Sequence, residues 1–162
     1  MKKRWIAAFV LTALAGSALH FAYELCPAPL VGLFAPVNES VWEHLKLLFW
    51  PFLAAGFDLT RRQADKPAAW SGLLLSQLLM PLFLLGVYYL LLAGFGVQSL
   101  ALDIALYLLT LALGFCLARR VSSGGRLAFL SGVLVILTGL YGAALILFTL
   151  APPELPVFMA NA

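Results

Sequence analysis

The chain has 162 residues, of which 64% are hydrophobic and 10% are charged, with a mean hydropathy of +1.02. A soluble domain of this size carries about 25% charged residues and cannot hide such an apolar excess inside, so the composition excludes an ordinary water-soluble domain and leaves lipid as the solvent of the outer face. The net charge of +3 would suit nucleic acid or an anionic surface, but the placement of the basic residues gives it another explanation.

About 20 apolar residues carry a helix across a bilayer. Five stretches read as spans: residues 5–24, 41–59, 68–92, 100–117 and 127–150. The start, MKKRWIAAFVLTALAGSALHF, resembles a signal peptide, but apolar sequence continues beyond it and an uncleaved first helix is expected. Pro27, Pro29 and Pro36 punctuate the first loop. The second stretch is the weakest, with charges near its start and Pro51 inside. The third carries Pro81, which removes one backbone donor. Arg61 to Pro67, Gly94 to Gln98, and Ser122 to Gly125 are the turns between later spans. The expected fold is an all-α, five-transmembrane-helix bundle formed as a single domain over 1–162.

Charge orients that bundle. Lys2, Lys3, Arg4, Arg61, Arg62, Lys66, Arg119, Arg120 and Arg126 all fall on one side if five spans alternate, and only Lys46 of the 10 basic residues falls elsewhere. The positive-inside rule then predicts a cytoplasmic N-terminus and an external C-terminus. It also accounts for the net charge without nucleic acid, leaving membrane lipids as the partners. Asp58 is expected to pair with Arg61 and Arg62. Cys26 and Cys116 fall near opposite faces and are not expected to pair.

Ionisable groups at membrane depth are costly and tend to mark function. Two segments hold most of them, HFAYEL at 20–25 and APVNESVWEHLKLLFWP at 35–51. His20 and Glu24 are four apart, as are Glu39 and Glu43, which on a helix puts each pair on one face. His20 lies one turn inside the end of the first span and His44 one turn inside the start of the second, so their depths match. Asp103, Tyr88 and Tyr89 reach the same level from the fourth and third spans, while Gln77 and Tyr141 lie deeper.

Several uses fit these groups. His20, Glu24, Glu43 and His44 are candidate ligands for a divalent metal such as zinc, whose donors are imidazole nitrogen and carboxylate oxygen. Glu39, Glu43 and His44 are candidate catalytic groups, acting as base or proton carrier with or without a metal. Asn38, Lys46, Asp103 and Tyr88 complete the polar pocket. Against these stand structural readings. Ser40-Val41-Trp42-Glu43 is a capping box, Asn38 can shape the turn before it, and the whole layer can be a satisfied network between helices. Lys46 can snorkel outward, and Asp103 needs a partner, with His44 and Lys46 the nearest choices. No Gly-rich phosphate loop, H-E-x-x-H, C-x-x-C or nucleophile elbow is present.

The run GLFAPVNESVWEHLK at 32–46, followed by LLFWP, resembles the hallmark of a family of small bacterial integral membrane proteins of unknown function. His20, Tyr23 and Glu24 are similar to its H-x-x-Y-E pattern, and Pro152, Pro153, Pro156 and Phe158 to its P-P-x-x-P-x-F tail. The resemblance implies a multi-pass protein of the bacterial cytoplasmic membrane. It singles out His20, Glu24, Asn38, Glu39, Trp42, Glu43, His44 and Lys46, and supplies no activity. Three functional readings stay open: a metal-dependent membrane-embedded enzyme acting on a lipid or amphiphile, a small proton-coupled transporter or permease component, and a structural, assembly or sensory protein. Five spans are cramped for a lone transporter, and a homodimer would relieve this.

Overall fold

The structure, a computed structural model, describes residues 2–61 and 63–159 and is all-α. Helix α1 runs Lys2–His20. Two four-residue helices follow, α2 Ala22–Leu25 and α3 Pro29–Gly32. Then come α4 Val41–Thr60, α5 Lys66–Tyr89 with a π-helical turn Leu90–Gly94, and α6 Leu100–Gly124. A 3-10 turn Ala128–Leu130 leads into α7 Ser131–Leu150, and a last 3-10 turn covers Pro156–Phe158.

The expected five spans are corrected to three. Among the described residues, three helices are long and apolar enough to cross a membrane: Lys66–Gly94, Leu100–Gly124 and Ala128–Leu150. The stretches at 5–24 and 41–59 do not join them. Helix α1 ends at His20 rather than Glu24, and its apolar part between Arg4 and His20 falls short of the ~20 residues a crossing needs. The apolar run of helix α4 is interrupted by Glu43, His44, Lys46 and Asp58. The orientation derived from five alternating crossings, N-terminus cytoplasmic and C-terminus external, falls with the count.

Helix α4 is covered by protein instead. It supplies more of the buried apolar core than any other helix, with Leu45, Leu48, Phe49 and Phe52 packed against Leu73 and Met80 of α5, Leu111 and Phe115 of α6, and Leu145 of α7. It lies against α1, α5 and α7, while α5 also packs extensively on α6. The three crossing helices keep apolar outer faces, as the exposed Val133, Ile136, Leu140 and Leu147 of α7 show.

Close approach of α1 to α4 depends on Gly16. A Cβ there would fall on the Tyr107 hydroxyl and 2.8 Å from the Leu47 carbonyl oxygen, the carbonyl whose helical donor Pro51 removes. At the same level of α4, Gln77 Nε2 donates to the Phe49 carbonyl at 3.3 Å.

Ion pairs and hydrogen bonds fix which helix ends meet. Arg4 at the start of α1 pairs with Asp58 near the end of α4 at 2.9 Å and also donates to the Asp58 carbonyl. Asp58 therefore takes Arg4; of its two expected partners, Arg62 lies outside the described residues. Ser122 of α6 donates to the Ala69 carbonyl of α5 at 3.0 Å. Lys3, Arg4, Arg61, Lys66, Arg119, Arg120 and Arg126 thus gather at one end of the molecule, and Lys46 at the other. Cys26 and Cys116 are both free and exposed.

Candidate metal centre

The end opposite the basic cluster is organised by the turn leading into α4. Asn38 Oδ1 accepts from Ser40 N at 2.9 Å, closing a local turn. Ser40 is the N-cap, its Oγ accepting from Glu43 N at 3.3 Å. In the usual capping box the N3 carboxylate reaches back to the N-cap amide. Here Asn38 has taken that amide, and Glu43 Oε2 reaches further back, accepting from Val37 N at 2.9 Å.

Glu43 is buried and fully engaged. The same Oε2 accepts from Lys46 Nζ at 2.7 Å, and Oε1 accepts from Thr149 Oγ1 on α7 at 2.8 Å. Lys46 is completely buried, and its ammonium donates to three acceptors: Glu43, the Gly32 carbonyl at 2.7 Å and the Ala35 carbonyl at 3.2 Å. An ammonium has three protons to donate, so all are used. Burial pushes the Lys46 pKa below its ordinary value of 10.5, against the upward pull of the Glu43 bond and charge. The network ties together the segment before α4, α4 itself and α7. It does not snorkel and does not reach Asp103.

On another face of the same turn the helix presents a different group. Ligand atoms of His20, Glu39 and His44 lie within 4.8 Å of one another. The imidazole rings of His20 and His44 have centroids 5.1 Å apart. His44 Nδ1 lies 2.8 Å from the Ser40 carbonyl oxygen. An Nδ1–H donated there leaves Nε2 with its lone pair, and Nε2 is 3.4 Å from Glu39 Oε2. Metal-binding histidines are commonly oriented by such a bond to a backbone carbonyl. Two donors bound ~2.0–2.1 Å from a tetrahedral ion stand about 3.3 Å apart, so the His44–Glu39 separation already matches one edge of such a site. His20 Nδ1 is buried with no hydrogen-bond partner among the described residues, an orphan that a cation nearby would satisfy. The cluster is able to hold a divalent metal ion.

The other expected site residues fall around this group. Asp103, exposed near the start of α6, is within electrostatic reach of His44. Glu24 is exposed and outside the cluster, because the chain leaves α1 at His20 and turns at Phe21 into α2. Tyr88 packs against the core and edge-on to Tyr89 at 5.3 Å. Asn38 is spent on the turn. Thr149 was not singled out from the sequence. It is the one hydroxyl in the apolar run at the end of α7, which is the signal that could have found it. The tail also gains a place: Phe158 stacks on Trp42 at 4.9 Å, and Phe148 of α7 lies against both rings.

Three crossing helices beside a metal-competent His/Glu cluster define a multi-pass membrane protein, associated with the bilayer through its apolar helices. Over residues 1–162 the chain matches a family of unknown function (DUF6512), and it belongs to that family. No curated protein and no solved structure matches it.

Proposed function

We propose that the protein is a membrane-embedded, metal-dependent enzyme acting on a lipid or similar amphiphile, with zinc as the ion its donors fit. The observation that carries this reading is the convergence of His20, Glu39 and His44, from α1, the turn before α4, and α4. Two histidines and one carboxylate are a donor set of zinc sites that keep a position open for water, and zinc lowers the pKa of such a water to about 7. Glu43 drops out as a ligand or base in this proposal, since both its oxygens are held by Val37, Lys46 and Thr149. Asp103, in electrostatic reach of His44, stays in this reading as a polar-pocket residue. The transport alternative has less support. Gln77 is bonded to the Phe49 carbonyl and sits among Phe52, Leu53, Leu73 and Leu74, so it does not extend the polar layer into the core.

The test is metal analysis of detergent-purified protein, comparing wild type with H20A and H44A. The expected result is about one zinc per chain in wild type and a loss of most of it in both variants. Equal content in all three rejects the metal centre. Incubating zinc-loaded and chelator-stripped protein with bilayer lipids, followed by mass spectrometry, then tests turnover. Metal without metal-dependent product rejects the enzyme.

A further inference from the structure

Residues 21–36, read from the sequence as the end of the first span and part of the loop after it, carry a surface that suits lipid. Leu25 is 85% exposed, Leu30 73%, Phe21 52% and Phe34 45%. Glu24 is the only charged residue among them. A soluble chain rarely leaves so many large apolar side chains together on one short segment. The segment is nonetheless firmly held. The two carbonyls that Lys46 binds, Gly32 and Ala35, belong to it. The Tyr23 ring packs on Gly32, where a Cβ would come 3.2 Å from Cε2, so α2 and α3 dock against each other. Phe34 stacks edge-on against Trp50 of α4 at 4.9 Å. The exposed apolar groups are therefore a fixed face.

Two four-residue helices are far too short to cross a bilayer. The face belongs to a protein whose crossing helices already place it in lipid, and it lies at the end away from the basic cluster. An apolar segment that is anchored, nearly uncharged and unable to span lies in the interface, with its side chains at the headgroup–acyl boundary. The segment also begins at the candidate metal site, where Phe21 is edge-on to His20 at 4.9 Å.

We propose that residues 21–36 form an interfacial cap seated in the bilayer surface, through which the His20–Glu39–His44 cluster meets an amphiphile drawn from the membrane rather than from water. The delivery of an amphiphile rests on the enzyme reading above; the seating of the cap does not. Cys26, exposed within the cap, is a native attachment point for a nitroxide in the full-length C116S protein. Leu30→Cys in a C26S/C116S background gives a second position. Ala64→Cys, in the polar turn between α4 and α5, gives an aqueous reference. In phosphatidylcholine vesicles, collisions with oxygen and with a water-soluble nickel complex report depth. The expected result is oxygen-favoured accessibility at both cap positions, about 5–10 Å below the headgroup level. Accessibility at Cys26 and Leu30 equal to that at Ala64 would overturn the proposal. So would shielding from both reagents with dipolar broadening between labels, which would assign the face to a second copy of the chain. Zinc content measured on the same samples keeps the two readings apart: a lipid-seated cap on a chain that binds no metal removes the enzyme and leaves the cap.

Discussion

Lys46→Met is the sharpest perturbation of this fold. Methionine fills a similar volume, so the change isolates charge and hydrogen bonding. The ammonium that is lost has three acceptors, at 2.7, 3.2 and 2.7 Å, and no exposure to solvent. Removing one partner of a buried ion pair costs about 3–5 kcal/mol, because the other charge stays buried without compensation. Two carbonyls also lose their donor, and each unsatisfied buried group costs up to about 1–3 kcal/mol. The donors that Glu43 keeps from Val37 and Thr149 limit the total, so the expected loss is about 4 kcal/mol. The assay is reversible unfolding in mixed micelles, titrating a denaturing detergent and following helix content. E43Q and the double variant complete a cycle. Glutamine at 43 can still accept from Val37 N, so the double variant should lose less than the two single losses together, by about 2 kcal/mol or more. A loss below ~1 kcal/mol for Lys46→Met, or single losses that add within ~0.5 kcal/mol, would refute the buried pair as the tie at this end of the molecule.

Thr149→Val removes the hydroxyl that α7 offers to Glu43 and should cost about 1.5–3 kcal/mol in the same assay, while Thr149→Ser should recover most of it. Equal losses for both would assign the effect to packing. Ser40→Ala removes the cap of α4 at a cost of about 1 kcal/mol, and unchanged unfolding would show that Asn38 and Glu43 hold the turn without it. Gly16→Ala puts a methyl against Tyr107 and the Leu47 carbonyl and should cost about 1–3 kcal/mol through overpacking. A neutral result would mean that α1 and α4 separate at no cost.

The membrane character was legible because it is a property of bulk composition, and the three crossing helices because each is a long apolar run. The span count was not legible, because length and hydropathy do not say whether a stretch is covered by lipid or by protein. Helix α4 has the length of a span, and what buries it is the packing of Phe49, Phe52 and Leu48 against α5, α6 and α7. The pairing of His20 with His44 followed from equal distances to the ends of two antiparallel helices, and it needs no side-chain detail. The i, i+4 arguments for Glu24 and Glu39 each assumed one continuous helix that the two residues of the pair do not share. The chain turns at Phe21, and Glu39 lies outside the Ser40 cap. Glu24 is thereby lost from the cluster. Glu39 points toward the histidines while Glu43, four residues on, points toward Lys46. The acceptors of Lys46 are backbone carbonyls of Gly32 and Ala35, which no side-chain pattern can announce.

The residues that deny α4 a membrane crossing are the ones that build the site. Glu43 and Lys46 are three apart on a helix and satisfy each other, so their charges are tolerable only with the helix enclosed. His44 lies between them in sequence but about 100° and 200° around the helix from them, which turns its ring away from the pair and toward α1. A change that kept Glu43 and Lys46 but shifted their spacing would break the pair and rotate His44 away from His20 together. The stretch from Ser40 to Lys46 therefore does two jobs with one helical period: one face clamps the segment at 32–37 and α7, and the other holds an imidazole beside His20 and Glu39. The clamp fixes Val37, two residues before Glu39, so the position of the carboxylate in the cluster depends on an ion pair that never touches it.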